Sequence, residues 1–174
     1  MRLLIAAELP QEVLDALAET SAALRDSVRG RYVATDSLHV TLAFLGSVES
    51  SRVDAAACAL DRACAGQGAF SIALGELGSF GKRNSATLWQ GFRDERAFRS
   101  LADDVRAELD DAGFEFDRKP FRAHITLMRK ANLSGGALPP AALAAGTVDI
   151  VTLFSSDLSG DRPRYEPLHR VMLG

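Results

Sequence analysis

A four-residue pattern occurs twice in this chain, as His39-Val40-Thr41-Leu42 and as His124-Ile125-Thr126-Leu127, with the two histidines 85 residues apart. Each copy lies in a run of apolar and β-branched residues, which predicts a strand. Successive strand side chains point to opposite faces, so each His shares a face with the Thr two residues on. Val40, Leu42, Ile125 and Leu127 fall on the other face and need a core. The chain must therefore build two comparable strands, each buried on one side and open on the other. Helix, motif strand, helix, strands, helix and motif strand follow one another in a sequence that suggests two similar halves. The predicted architecture is α+β: one domain, residues 1–174, of two pseudo-symmetric lobes with mainly antiparallel sheets, outer helices and a central cleft.

The elements between the motifs fit that plan. Leu3 to Ala7 predicts a first strand, and a helix follows from Pro10 to about Val28, with Val13, Leu14, Leu17 and Leu24 at helical spacing. A second helix is predicted from Arg52 to about Ala65, capped by Ser50 or Ser51, and a third from about Glu95 to Ala112, ended by Gly113. Strands are predicted at Phe70 to Leu77 and Ala86 to Phe92, flanking a loop from Gly78 to Asn84. Phe114 to Phe116, Phe121 to Met128, Val148 to Ser155 and Tyr165 to Leu173 complete the set.

Two imidazoles facing one cleft can serve as a paired acid and base, because an unperturbed histidine titrates near pH ~6.5. A neutral and a protonated copy then coexist near neutrality, as cyclic phosphodiester hydrolysis requires. Thr41 and Thr126 can hydrogen-bond the phosphate oxygens. Arg122 shares the parity of His124 and Thr126 and is predicted to face the cleft, whereas Arg129 has the wrong parity unless the strand ends or bulges first. Arg118, Lys119, Arg122, Arg129 and Lys130 surround the second motif with no acidic residue among them, which predicts a local anion pocket.

A net charge of −3 argues against a broad, sequence-independent nucleic-acid surface. No cofactor is called for. A catalytic zinc needs three protein ligands, and no Cys, third His or carboxylate shares the motif strands. His169, the remaining histidine, is read as structural or surface. Cys58 and Cys64 lie on different faces of one predicted helix and read as reduced thiols. No apolar run reaches the ~20 residues that span a bilayer. Those features predict a cytoplasmic protein with no membrane partner, and a monomer is expected.

Beyond the two motifs, Leu38-His39-Val40-Thr41-Leu42-Ala43-Phe44-Leu45-Gly46, Lys119-Pro120-Phe121-Arg122-Ala123-His124-Ile125-Thr126-Leu127 and the tail Arg164-Tyr165-Glu166-Pro167-Leu168 resemble the two-histidine phosphoesterases. The resemblance is specifically to the RNA 2′,3′-cyclic phosphodiesterase family, also called the 2′-5′ RNA ligase family, and covers nearly the whole chain. Ala123 stands where members often have Pro, and Tyr32 where they often have Trp. The resemblance implies opening of a terminal 2′,3′-cyclic phosphate to a 2′-phosphomonoester, with His124 as general base and His39 as general acid. Pseudo-symmetry leaves the reverse assignment open. It also implies that 2′-5′ joining would use the same groups in exchanged roles. Its partners would be RNA 3′ ends bearing the cyclic phosphate. Small nucleotide cyclic phosphates, or a non-catalytic RNA-end-binding module, are the alternatives.

Overall fold

A computed structural model describes residues 1–174. Nine strands form two curled antiparallel sheets. The first sheet has the order β3-β1-β8-β9, built from β1 (Arg2–Glu8), β3 (His39–Ser47), β8 (Ile150–Asp157) and β9 (Arg164–Met172). The second has the order β2-β6-β5-β4-β7, built from β2 (Arg31–Tyr32), β4 (Phe70–Lys82), β5 (Ser85–Phe92), β6 (Ile125–Ala131) and β7 (Ala145–Val148). The motif strands β3 and β6 run beside each other where the sheets meet. Their inward residues Val40, Leu42, Ile125 and Leu127 are fully buried in one continuous apolar core.

Helix α1 (Gln11–Ser27) buries Val13, Leu17 and Leu24 and packs near β7. Helices α2 (Val53–Cys64) and α3 (Arg96–Asp111) pack on each other, α2 reaching β8 and β9 and α3 reaching β3. Helix α3 shows why an amphipathic sequence folds this way. Phe98, Leu101, Ala102, Val105 and Leu109 recur at three- and four-residue spacing and are all buried, whereas the intervening charges face out. Cys58 is exposed and Cys64 buried, and neither forms a disulfide. No helix is long and apolar enough to cross a membrane.

Four local expectations are corrected. Residues 78–82 are strand, not loop: β4 continues to Lys82 and turns at Arg83-Asn84 into β5. Phe114 to Phe116 are not a strand. Both phenylalanines are core residues, and the segment offers the open edge of β3 a single backbone bond, Asp117 N–H to the Phe44 carbonyl at 2.8 Å. Residues 121–124 likewise precede the paired part of β6 instead of belonging to it. Ser50 and Ser51 lie in a short 3-10 turn, and α2 begins without a side-chain cap.

Both motif strands carry an irregularity at the same place. In the β1–β3 pairing Ile5 faces Ala43 and Ala6 faces Thr41, so Leu42 has no opposite residue. In the β5–β6 pairing Leu88 faces Met128 and Trp89 faces Thr126, so Leu127 has none. The leucine that ends each motif is thus a bulge, which re-aims whatever follows it. The Leu42 carbonyl freed by its bulge accepts a bond from Arg106 Nε at 3.2 Å.

Candidate active site

One cavity of about 560 Å³ brings the two motifs together, lined by His39, Thr41, His124 and Thr126 as well as Arg129 and Tyr165. Each imidazole is held by the same local bond. His39 Nδ1 lies 2.7 Å from the carbonyl of Ser37, and His124 Nδ1 lies 2.7 Å from the carbonyl of Arg122, in each case two residues back. A carbonyl can only accept, so Nδ1 carries the proton, and in the neutral ring Nε2 is left as the basic nitrogen. Both rings are consequently fixed in one tautomer by their own strand entry.

The copies differ at Nε2. In His39 it lies 3.1 Å from Thr41 Oγ1, whereas His124 Nε2 has no protein partner. Their walls differ as well. Tyr165 meets His39 nearly edge-on at 5.1 Å between ring centroids. His124 faces Phe80 at 5.2 Å and Trp89 at 6.0 Å.

Burial pushes both histidines below the ordinary imidazole value, because a desolvated ring resists protonation. The backbone carbonyls oppose this by favouring the charged form. The Arg129 guanidinium adds to the depression of both rings, and His124 adds to that of His39. Arg129 therefore acts electrically on both halves of the site. An anion between the rings would act in the opposite direction and favour protonation.

The basic cluster around the second motif disperses in the folded chain. Arg118 forms a bidentate pair with Asp110, and Lys119 lies 4.0 Å from Asp117. Arg122 is absent from the cavity lining, contrary to its strand parity. Residues 117–124 lack sheet pairing, so alternation does not apply, and the guanidinium rests over the Trp89 ring at 4.8 Å. Arg129 enters the cavity by the alternative route, because the Leu127 bulge reverses the parity beyond it. Lys130, next along, takes a left-handed backbone at φ 50 and points its exposed side chain elsewhere.

Several cavity residues carried no signal of their own in the sequence. Arg25, Arg31 and Arg162 line the space, with Asp161 as its one carboxylate, and none of these three guanidiniums forms an ion pair. Arg31 sits directly opposite Arg129 in the β2–β6 pairing. Tyr32, also in the lining, donates its hydroxyl to the Val28 carbonyl and lies 3.0 Å from that of Leu24, fastening β2 to the end of α1. His169 lies outside the cavity lining and meets Asp61 at 2.7 Å between β9 and α2. No group of three or more His, Cys, Asp or Glu side chains is clustered as a metal site.

The family model described as the 2′-5′ RNA ligase superfamily matches residues 13–146. An RNA 2′,3′-cyclic phosphodiesterase of Escherichia coli is 33% identical over 173 residues, covering 99% of this chain and 96% of that protein. One from Geobacillus stearothermophilus is also 33% identical, covering 94% of this chain, which spans only 54% of that longer protein. The crystal structure of E. coli LigT complexed with 3′-AMP superposes with a TM-score of 0.83 at 31% identity, covering 99% of this chain and 97% of the other. With the family model matching well over half its length, the chain belongs to the 2′-5′ RNA ligase superfamily.

Proposed function

We propose that the protein hydrolyses terminal 2′,3′-cyclic phosphates of RNA to 2′-phosphomonoesters, with its two motif histidines as acid and base and without a metal ion. The observation that carries this reading is the matched anchoring of both rings. Two imidazoles with Nδ1 tied back at 2.7 Å and Nε2 left for chemistry share one cavity with two threonine hydroxyls and a guanidinium. In the reaction, one neutral Nε2 takes a proton from water as its oxygen bonds to phosphorus. The P–O3′ bond breaks, and the other ring, protonated at Nε2, donates that proton to the departing 3′-oxygen. The 2′-ester bond survives. Thr41 and Thr126 orient the non-bridging oxygens, and Arg129 stabilises their growing charge.

His124 is assigned as base and His39 as acid. The free Nε2 of His124 suits a group that must first engage water, whereas Thr41 holds His39 Nε2 in place. Both rings are depressed when the cleft is empty, so the acid is recruited by the substrate. The phosphate's negative charge counters Arg129 and raises the imidazole toward its protonated form.

An RNA end is favoured over a mononucleotide by the surplus of positive charge. Four arginines and one aspartate line the cavity, while a cyclic phosphodiester carries a single negative charge. Arg25, Arg31 and Arg162 can meet the phosphates of the preceding nucleotides. The test is incubation with an RNA ending in a 2′,3′-cyclic phosphate, in excess EDTA, with the product isomer identified. The 2′-phosphomonoester is expected. A 3′-phosphate product, or activity that disappears in EDTA and returns with a divalent metal, contradicts the proposal.

A further inference from the structure

Beside the reactive cleft lies an aromatic surface that the acid–base chemistry does not use. Trp89 faces Thr126 across the β5–β6 pairing and Gly78 across the β4–β5 pairing, so all three share the cleft side of the second sheet. Phe80, two residues beyond Gly78 on β4, falls on the same side. Its ring lies 5.1 Å from that of Trp89 and 5.2 Å from His124, and at 42% exposed it is the one phenylalanine or tryptophan of the chain left open to solvent. Arg122, also exposed and without a carboxylate partner, spreads over Trp89 at 4.8 Å. The indole is kept at a cost: its buried Nε1–H has no hydrogen-bond partner, a liability that Leu or Phe would avoid.

We infer that Phe80 and Arg122, seated against the buried Trp89, form a shelf on which the nucleobase of the nucleotide carrying the cyclic phosphate stacks. The inference rests on the function proposed above and adds to it the place of the base. The order β2-β6-β5-β4 sets the arginines Arg31 and Arg129 on one side of Thr126 and the shelf on the other. A terminal nucleotide has the same layout. Its cyclic phosphate sits at the centre, its 5′-phosphate leads toward the preceding residue, and its base projects from the far side of the ribose. Single-stranded bases are recognised by aromatic faces and by guanidinium planes, and both are present here. Every base has a π-face, so the shelf favours the presence of a base, and the larger purines most, without reading sequence.

The test uses two short RNAs, one ending in adenosine 2′,3′-cyclic phosphate and one whose terminal ribose cyclic phosphate lacks its base. The quantity read is the ratio of their kcat/KM values. In the wild-type protein the base is expected to confer an advantage of roughly tenfold or more. Phe80→Leu keeps an apolar side chain at this half-open position but removes the π-face, and is expected to cut that ratio by roughly five- to tenfold. Phe80→Tyr is expected to retain it. If Phe80→Leu lowers kcat/KM on both RNAs by the same factor, Phe80 supports His124 and stacks nothing, and the inference fails. A ratio unchanged in Phe80→Leu also overturns it. Wild-type inactivity on both RNAs is a different result, which removes the proposed function and the shelf with it.

Discussion

Gly78 is where the structure permits the sharpest test of how the second motif is supported. Its backbone is not in a left-handed conformation, so alanine there is acceptable to the chain itself. The obstacle is steric: a Cβ would come within 2.4 Å of two atoms of the Trp89 ring. Ordinary contact begins near ~3.4 Å, so the indole must lift by about 1 Å from β4. Trp89 is 7% exposed and cannot swing aside freely. Overpacking of this kind costs about 1–3 kcal/mol, offset by about 0.5–1 kcal/mol from alanine's reduced freedom in the unfolded chain. The net, up to about 2.5 kcal/mol, corresponds to a Tm lowered by as much as about 10 °C in a protein of this size. The displaced ring moves against Phe80, Arg122 and His124, and a 1 Å misplacement near the chemistry can cost about 10²-fold in rate. Thermal melts and kcat/KM on a cyclic-phosphate RNA measure both effects. Gly91→Ala is the control, its Cβ meeting the same ring only at 3.2 Å. Trp89→Leu in the Gly78→Ala background should recover part of the lost stability, since the two positions share one clash. A Gly78→Ala protein with wild-type Tm and rate would refute the claim that Trp89 is held on Gly78 and that it supports the site.

The remaining expectations concern charge. Arg129→Gln should lower kcat by about 10²–10³, as does loss of one charge-stabilising donor, and should move the pH–kcat/KM profile to higher pH because both imidazoles lose a depressing neighbour; a downward shift contradicts this electrostatic reading. Arg31→Ala removes a like charge facing Arg129, so it should stabilise the fold by about 0.2–1 kcal/mol while reducing the salt dependence of RNA binding by roughly 0.7 in slope. Loss of stability, or an unchanged slope, would show that Arg31 serves the fold and not the strand. The burial that depresses His39 in the folded state means that the unfolded chain binds the extra proton first as pH falls below about 6.5. Folding stability should be full above that pH and decline beneath it, by at most about 1.4 kcal/mol per pH unit for this ring. His39→Gln should flatten that part of a urea-denaturation pH series, and an unflattened curve contradicts the desolvation.

The pairing of His39 with Thr41 and of His124 with Thr126 was legible in the sequence because alternation along a strand is local and survives in both copies. What alternation could not supply was the bulge at Leu127, which depends on how β6 registers against β5 and so puts Arg129 into the cavity. Arg122 fails for the complementary reason. A segment rich in apolar residues reads as strand, but 121–124 has no neighbour to pair with and its side chains follow local packing onto Trp89. Arg25, Arg31 and Arg162 come from α1, β2 and the β8–β9 turn, and only tertiary structure brings such distant positions to one cavity. Gly78 to Lys82 resembled a loop because its glycines weaken strand propensity, although one of them is what lets Trp89 lie flat.

The proposed reaction requires the two rings to act as one unit. The direct measurement is single-turnover hydrolysis of a 2′,3′-cyclic-phosphate RNA by the wild-type protein, His39→Ala, His124→Ala and the double variant, with RNA binding measured in parallel. Each single variant is expected to lose at least about 10²–10⁴ in rate while still binding RNA, and the double variant to lose little more than either. Wild-type turnover by either single variant, or losses in the double variant that multiply as independent effects, would contradict it.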